Sequence, residues 1–313
     1  MKLAFLGEVR APRWLMLGMI GVFGAGSTVI AHAHSRWVLP SEFIQSSEQP
    51  QWIDVDVSVS NTLFSFDKPY SWEGFKVWLP NGTEGPAIKG TTFKRHSVFS
   101  VELTAPGTYR IEQWQDSYGV MPPRPTQKPA EAMEGQAPAA DKGQVKTSAK
   151  PEADKAQPNF RRLSASSLEA LKAQLPEEMK DFPVIHRRSR VQSFVTKGTP
   201  TPDAVKPVGE GLEIKSSQWV TDFMVGDQVT LTLLLNGKPL PKAKVELTPG
   251  GTGWRNSRQA QQLQTDASGN VRVNWPIAGI YLIEAEHAEP STEQGVKEER
   301  YSYSGTFAVQ PGE

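Results

Sequence analysis

The chain contains no cysteine among its 313 residues. It therefore has no disulfide bond, no thiolate metal ligand and no cysteine nucleophile. Histidine is also scarce, with five residues in the sequence, so few positions offer an imidazole as base or metal ligand. The patterns HExxH and GxSxG and glycine-rich phosphate-binding loops are missing as well. These absences predict a protein that is not an enzyme.

An excess of charge of one sign is also missing. The 34 basic and 34 acidic residues give a formal net charge of 0. The first 33 residues hold three of the basic residues and one of the acidic residues, which leaves 31 basic and 33 acidic residues after them. This balance gives no basic surface for an anionic partner. We expect no nucleic acid as a partner.

Residues 1–33 have the pattern of an export signal. Basic residues precede an almost wholly apolar run from Trp14 to Ala31, and Ala31-His32-Ala33 is a small-x-small cleavage site. The alternative is an uncleaved membrane anchor, because the run is long enough to span a bilayer, but its four glycines weaken a spanning helix. No second long apolar run follows. We expect a periplasmic protein, cleaved after Ala31 or Ala33, that does not insert into the membrane after signal cleavage.

Residues 34–121 alternate between apolar and polar positions. At 53–59, isoleucine and valine alternate with aspartate and serine, which is typical of a half-buried strand. Residues 75–79 (FKVWL) form another strand, ended by the turn Pro80-Asn81-Gly82, and 99–103 alternate again. This pattern predicts an N-terminal β-sandwich domain.

The next segment, 122–163, changes character. Between Pro122 and Pro158 there are seven prolines, many Ala, Lys, Glu and Gln residues, and no aromatic residue, leucine or isoleucine. Such a composition cannot bury enough apolar surface to offset the entropy of ordering the chain. The sequence predicts a disordered Pro/Ala/Lys-rich insert here.

Residues 164–211 are predicted to return to the first domain. A short helix is expected from Ser164 to Lys180, capped by Ser166 or Ser167. The β pattern then resumes at 191–195, and we expect this strand to pair with the first sandwich. A Pro/Gly-rich connection leads to the C-terminal domain.

The C-terminal domain, 212–313, repeats features of the first. "APGTYRIE" at 105–112 aligns with "IAGIYLIE" at 277–284, and each copy has an Asn-Gly hairpin signal upstream. Gly-x-Tyr before a strand is typical of the tyrosine corner of immunoglobulin-like sandwiches, in which the phenol bonds back to the chain. Chance agreement of two strand entries is the alternative. The sequence favours an all-β fold of two immunoglobulin-like β-sandwich domains, with Tyr109 and Tyr281 at their corners.

Signal cleavage places histidine near a free N-terminus. After a cut behind Ala33, the α-amine and the imidazole of His34 can chelate one ion. After a cut behind Ala31, His32-Ala33-His34 can form a square-planar site through the amine, two backbone amides and the imidazole of His34. Nitrogen ligands of this kind favour copper over nickel and nickel over cobalt. We expect a transition metal ion at His34, although any residue can follow a signal peptide.

A terminal chelate needs a further ligand to be tight and selective. His96, in "FKRHSVF", is the first candidate, and His287 is the second. His186 is a poorer candidate because Arg187 and Arg188 follow it, and neighbouring cations disfavour a bound cation.

Eight tryptophans follow the leader, and most lie on predicted strands, where we expect them in the core. Trp254 is the exception, since it lies in the glycine-rich loop "PGGTGWRNSRQ" together with Arg255 and Arg258. A loop tryptophan flanked by arginines is typical of a contact surface. We predict that these three residues bind a partner.

Four stretches carry a resemblance to a known family. They are "AHAHSRWVLPSEF", "SFVTKGTPTPDAVKPVGEGLEI", "GDQVTLTLLLNGKPLPKAKVEL" and "LQTDASGNVRVNWPIAGIYLIEAE". The chain resembles exported bacterial proteins labelled DUF4198 or the periplasmic component of cobalt/nickel transport systems, and the last two stretches also resemble prealbumin-like β-sandwich modules. The resemblance implies periplasmic delivery of a transition metal to a membrane transporter, with a histidine at or near the mature N-terminus. His34 matches that position, while the insert has no match.

Three functions follow from these observations. The leading hypothesis is a non-enzymatic periplasmic metal-binding protein, with nickel, cobalt or copper at His34, completed by His96 or His287, and a membrane transporter or receptor as partner. The second is a structural or adaptor module that binds a membrane protein or a glycan through the Trp254 loop without metal. The third, a copper oxygenase with an N-terminal histidine brace, requires a second histidine that faces His34.

Overall fold

The computed structural model describes residues 35–121 and 163–312. The leader 1–33, His34 and all but the last residue of the predicted insert lie outside these ranges.

The described residues before 212 form ten strands and one α-helix. The strands before the insert are β1 (Ser35–Pro40), β2 (Ile44–Gln45), β3 (Gln51–Ser60), β4 (Lys68–Pro69), β5 (Phe75–Trp78), β6 (Gly90–Thr92), β7 (Ser97–Leu103) and β8 (Gly107–Val120). After the insert come β9 (Ser164–Ala165), helix α1 (Leu168–Gln174), a 3₁₀ turn (Glu177–Met179) and β10 (Val184–Lys197).

The remaining part is built almost wholly of strands. These are β11 (Leu212–Ser216), β12 (Phe223–Met224), β13 (Gln228–Leu235), β14 (Lys238–Pro239), β15 (Lys244–Pro249), β16 (Gln261–Gln264), β17 (Asn270–Asn274), β18 (Gly279–Pro290) and β19 (Glu298–Gln310), with a 3₁₀ turn at Thr252–Trp254. The all-β fold class is therefore confirmed.

The strands form three sheets. A five-stranded sheet has the order β1-β3-β7-β6, with β4 beside β3, and a four-stranded sheet has the order β11-β13-β14, with β17 beside β13. The third sheet has ten strands and the main order β16-β15-β18-β19-β10-β8-β5. This large sheet includes strands from both predicted domains.

Two hydrophobic cores lie between these sheets. The first packs the five-stranded sheet against β5, β8 and β10, through side chains that include Val38, Ile53, Val55, Phe75, Phe99, Tyr109 and Val191. The second packs the four-stranded sheet against the rest of the large sheet, through side chains that include Leu212, Phe223, Leu231, Val245, Trp275, Tyr281 and Phe307. Each core is that of a β-sandwich.

Both predicted tyrosine corners are present. Tyr109 donates its hydroxyl hydrogen to the carbonyl of Ala105 at 2.8 Å. Tyr281 does the same to the carbonyl of Ile277, also at 2.8 Å. Because each phenol bonds four residues back, the repeat seen in the sequence has the same local geometry in both sandwiches, as the immunoglobulin-like prediction requires.

Strand β10 joins the two sandwiches. It pairs antiparallel with β8 along its full length. Its other edge pairs in parallel with β19 from Ile185↔Glu298 to Ser193↔Thr306. The described residues accordingly belong to one compact unit, and the predicted division into two domains at residue 211 stays a prediction.

The predicted helix is shorter than expected. Helix α1 covers Leu168–Gln174, and Ser167 caps it by accepting a hydrogen bond from the amide of Ala170. Pro176 follows the helix. Because proline favours an extended backbone in the residue before it, the helix ends there and the 3₁₀ turn begins after it. Leu171 is fully buried in a small cluster between the helix, the end of β8 and the start of β10.

The alternation predicted for residues 53–59 ends early. Ile53, Val55 and Val57 are buried as expected, but Val59 is half-buried, while Ser58 and Ser60 are buried. The two serines satisfy their hydroxyls with backbone carbonyls, among them that of Thr62 at 2.7 Å. Short polar side chains with such bonds can replace apolar ones where a strand ends.

None of the helices in residues 35–121 and 163–312 is long and apolar enough to cross a membrane.

Candidate functional site

Strand β1 begins at Ser35, the residue after His34 in the sequence. Ser35 is buried and lies opposite Ser60 of β3. Trp37 donates from its indole nitrogen to Oγ of Ser60 at 3.0 Å and packs edge-on against Phe64 with ring centroids 5.6 Å apart. These contacts fix the start of β1, while His34 itself lies outside the described residues.

Two buried glutamates lie beside the start of β1. Glu246 of β15 and Glu284 of β18 are direct partners in the antiparallel register, so their side chains share one face of the sheet. Ser35 donates from Oγ to Oε2 of Glu284 at 3.0 Å. The first described residue of the chain therefore contacts a buried carboxylate pair.

Polar groups from three directions hold Glu246. Arg258 approaches Oε1 at 3.4 Å, Thr248 donates its hydroxyl to the same oxygen at 3.1 Å, and Gln262 donates to Oε2. Like charges that face each other in a sheet repel, and a nearby guanidinium offsets part of that repulsion. Side chains from β15, β16 and the loop between them therefore stabilise the carboxylate pair.

The three predicted contact residues of the Trp254 loop differ in their exposure and in their contacts. Trp254 is 93% exposed, as expected for a partner-binding residue. Arg255 instead donates to carbonyls of its own loop, those of Gly250 at 2.6 Å and Pro249 at 2.9 Å. Arg255 therefore stabilises the loop that presents Trp254.

Arg258 connects this loop to the start of the chain. It donates to the carbonyl of Asn61 at 3.2 Å as well as to Glu246 at 3.4 Å. Thr252 accepts a hydrogen bond from the amide of Leu63 at 2.8 Å. The loop thus packs on the turn that follows β3.

The start of β1 and the Trp254 loop therefore belong to one region of the molecule. We call Ser35, Glu246, Arg258 and Glu284 the entry cluster, because strand β1 begins there. The sequence predicts the start of β1 and the Trp254 loop as two separate sites. Their proximity depends on contacts between residues about 200 positions apart, and a local sequence pattern does not predict such contacts.

His96 lies in an aromatic stack. Its ring packs between Phe66 at 4.0 Å and Phe93 at 5.1 Å, and Nε2 is 3.5 Å from Oδ1 of Asp56. Burial raises the pKa of Asp56, the charge of His96 opposes that shift, and Asp54 adds to it. In the described part of the chain, no third metal-ligating side chain joins His96 and Asp56.

His287 lies on β18 of the large sheet. Its Nε2 is 3.3 Å from Oε2 of Glu289, and its ring lies beside Tyr301 with centroids 6.3 Å apart. His96 precedes β7 of the five-stranded sheet, and no group of three metal ligands in the described residues contains either histidine. The structure therefore does not bring these two candidate ligands together.

His186, the candidate ranked last, is the histidine that lies among carboxylates. Within the described ranges, the single place where three metal-ligating side chains converge is His186, Glu293 and Glu299. Because side chains alternate along a strand, Arg187 points to the other face, whereas Arg188 shares the face of His186 and is paired there with Oε2 of Glu299 at 2.6 Å. No local sequence signal marks the two glutamates, because Glu299 approaches His186 through the pairing of β10 with β19 and Glu293 through the turn before β19.

The tryptophans are less uniformly buried than predicted. Trp37 and Trp275 are core residues, but Trp52 is 65% exposed. Trp52 shares its strand face with Asp54, since residues two apart in a strand point the same way. The alternation that predicts the buried face of β3 therefore also places Trp52 on the solvent face.

Comparisons with known proteins identify a family and give little beyond it. A family model described as a domain of unknown function, DUF4198, matches residues 31–289. No curated protein matches the chain.

Among solved structures, the D0-D1 domain of intimin is 10% identical, with 87% of this chain and 97% of that one covered and a TM-score of 0.18. The tandem V-type regions of VCBP3, a chitin-binding protein, are 9% identical, with 86% and 98% covered and a TM-score of 0.18. Escherichia coli alpha-2-macroglobulin is 8% identical; 90% of this chain but 20% of that one is covered, with a TM-score of 0.19. TM-scores this low carry no argument about function.

Proposed function

The chain belongs to the DUF4198 family, and from that premise we propose that it is an exported, non-enzymatic protein that binds a transition metal at the N-terminus of its mature form. The observation that carries the proposal is the contact between Ser35 and Glu284. Through this contact the residue after His34 touches a buried carboxylate, whose charge favours a cation nearby.

His34 and the entry cluster together supply a plausible set of ligands. Signal cleavage after Ala33 frees the α-amine of His34, which adds to its imidazole nitrogen. His34 is the residue before the serine that contacts Glu284, and consecutive Cα atoms are about 3.8 Å apart. Nitrogen donors with one carboxylate suit nickel, cobalt and copper. Glu284 takes the role of third ligand that the sequence assigns to His96 or His287.

Cleavage after Ala31 leads to a related site. The chain then begins His32-Ala33-His34, and the third-position histidine completes a square-planar arrangement with backbone nitrogens. In that case the amine, two backbone amides and the imidazole of His34 would supply four nitrogen ligands, and Glu284 would contribute only its charge. The effect of Glu284 on affinity therefore separates the two forms.

We further propose that the bound ion is passed to a membrane transporter or receptor in the periplasm. The Trp254 loop is the surface we assign to this contact, because Trp254 is exposed and the loop packs beside the start of β1. Exposed tryptophans are frequent anchors of protein interfaces. Metal and partner would then meet in the same region.

Affinity measurements on the mature protein test the metal site. Isothermal titration with Ni²⁺ and Cu²⁺ should show a tight site that His34→Ala weakens at least about tenfold, or about 1.4 kcal/mol. Glu284→Gln should weaken the amine-imidazole form by a similar factor. Glu102→Gln, which alters an exposed carboxylate of β7, is the matched control and should bind as the wild type does. Unchanged affinity in His34→Ala would contradict the assignment.

The second candidate function is a metal-free adaptor that uses Trp254, which the exposure of this side chain favours. It predicts that Trp254→Ala abolishes cross-linking to a membrane protein or binding to a glycan array, while added metals change neither. The histidine-brace alternative needs a second histidine facing His34, and stays a prediction.

A further inference from the structure

A second group of metal-ligating side chains lies away from the entry cluster. His186 of β10 and Glu299 of β19 are register neighbours, and Glu293 reaches the same place from the turn between β18 and β19. The three ligand atoms lie within 4.8 Å of one another. Nδ1 of His186 is 3.3 Å from Oε2 of Glu299 and 3.9 Å from Oε2 of Glu293. We call these three residues the His186 cluster.

This cluster is distinct from the entry cluster. Glu284 pairs with Ser304 of β19, whereas Glu299 lies five residues earlier on the same strand. Side chains an odd number of residues apart in a strand point to opposite faces. The two clusters therefore lie on opposite faces of the ten-stranded sheet.

The imidazole of His186 has a buried nitrogen, Nδ1, that makes no hydrogen bond in the described residues although two carboxylates lie near it. The side chain is 4% exposed. A buried polar atom in this state costs free energy, so it calls for a specific explanation. The nitrogen faces the two carboxylates, and a cation placed among the three groups would give it a bond.

The other nitrogen of His186 is held by a carboxylate. Nε2 lies within hydrogen-bond distance of Oδ1 of Asp116, and the ring stacks on Tyr118 with centroids 4.0 Å apart. A carboxylate behind an imidazole is the usual companion of a metal-bound histidine, because it fixes the tautomer and directs the free lone pair at the ion. Asp116 thus acts as a positioning residue for Nδ1.

The two carboxylate ligands are also oriented. Tyr118 donates to Oε2 of Glu293 at 2.9 Å, and Ser291 donates to Oε1 of Glu299 at 2.8 Å. The hydroxyls of Tyr118 and Ser291 therefore hold the two carboxylates in place beside Nδ1 of His186.

The charges around the cluster leave room for a divalent ion. Asp116, Glu293 and Glu299 are three carboxylates, and Arg188 is the cation paired with them, at 3.3 Å from Asp116 and 2.6 Å from Glu299. With a neutral imidazole these groups carry two formal negative charges. One divalent cation would neutralise both negative charges, whereas a proton on His186 would neutralise only one of them.

We infer that His186, Glu293 and Glu299 bind a divalent transition cation of the Co²⁺ or Zn²⁺ type. Bonds of about 2.1 Å to a tetrahedral ion place neighbouring ligand atoms about 3.4 Å apart, close to the separations of Nδ1 from the carboxylates. One nitrogen and two oxygens suit such ions, while Ca²⁺ prefers six to eight oxygens. Glu293 is 39% exposed, so solvent can reach the fourth position and the ion can exchange.

The test uses the mature protein with His34→Ala, which removes the N-terminal site proposed above. Co²⁺ is titrated by equilibrium dialysis and by its visible absorption. We expect one Co²⁺ per chain. Glu293→Gln and Glu299→Gln should each weaken binding at least tenfold, and Asp116→Asn should weaken it by about tenfold to a hundredfold.

Glu289→Gln is the matched control. Glu289 lies directly opposite Glu299 and is paired with His287, so this variant should bind Co²⁺ as its parent does. The inference is overturned if the folded His34→Ala protein binds no Co²⁺, or if neither Glu293→Gln nor Glu299→Gln weakens binding. It is also overturned if Glu289→Gln weakens binding as much as they do. If only the proposed N-terminal site is absent, the His34→Ala protein and the wild type each bind one Co²⁺.

Discussion

Oγ of Ser35 donates to Oε2 of Glu284 at 3.0 Å, although 249 positions separate the two residues in the chain. This hydrogen bond connects the start of β1 to the large sheet. It also places the residue after His34 next to a buried carboxylate pair. The proposed metal site and the Trp254 loop both depend on this part of the molecule.

Ser35→Ala should destabilise the protein. It removes a hydrogen bond to a buried carboxylate, which costs about 1–3 kcal/mol when the acceptor stays buried. Urea denaturation of the mature chain measures the effect. Ser268→Ala alters an exposed serine in the turn before β17 and should stay within about 0.5 kcal/mol of the wild type. Equal stability of both variants would mean that the contact with Glu284 contributes nothing.

Both tyrosine corners should contribute to stability. Tyr281→Phe removes one hydrogen bond of 2.8 Å, to the carbonyl of Ile277, and should cost about 1 kcal/mol. Tyr109→Phe removes two hydrogen bonds of 2.8 Å, one to the carbonyl of Ala105 and one from its amide, and should cost more. Because the sandwiches share one sheet through β10, both variants should still unfold in a single transition by near- and far-ultraviolet circular dichroism. Two separate transitions would show that the sandwiches unfold independently.

Arg190 should be among the residues most sensitive to truncation. It is buried, pairs with Glu112, and donates to the carbonyls of Leu212 at 3.2 Å and Glu210 at 2.9 Å. Arg190→Ala removes the nearer of two guanidiniums beside the buried Glu112, since Arg110 lies 3.6 Å from the same carboxylate oxygen, and should cost about 3–5 kcal/mol. The double variant Arg190→Met with Glu112→Gln removes both charges of the closer pair and should recover part of the loss. No recovery would indicate that the carbonyl contacts of Arg190 and the ion pair of Arg110 dominate.

Stability should respond to pH through Asp56, because burial raises the pKa of this carboxyl in the folded state. The fold then favours the protonated form, so its contribution is present below the ordinary pKa of 3.8 and is lost as pH rises through the raised value. Asp56→Asn stays neutral and should melt at a higher temperature than the wild type at neutral pH. The difference should vanish in acid, as thermal melts across pH can establish. A variant that is less stable at neutral pH would contradict this sign.

Local sequence patterns predict much of this fold. Alternation identifies the buried faces of β3 and β13, because one side of each strand packs on a core. The Asn236-Gly237 pair predicts its hairpin, since both residues have the positive φ that such a turn requires. Tyr109 and Tyr281 identify the corners through a repeat visible in the chain itself.

Contacts across the large sheet are beyond such patterns. The parallel pairing of β10 with β19 places Glu299 beside His186. The sequence of neither strand indicates which strand it pairs with. Nothing near Glu246 or Glu284 in the sequence marks them as neighbours of Ser35. The sequence therefore indicates which residues are chemically suited to metal, while the sheet order decides which of them meet.

The measurement that tests the account most directly is native intact-mass spectrometry of the protein exported to the periplasm. One spectrum gives both the N-terminal residue and any bound metal. The account predicts a mass that begins at His34 or His32, with a metal adduct that is reduced by one ion in His34→Ala. A cleaved protein that carries no metal, and takes up none when copper, nickel and cobalt are added, would contradict it.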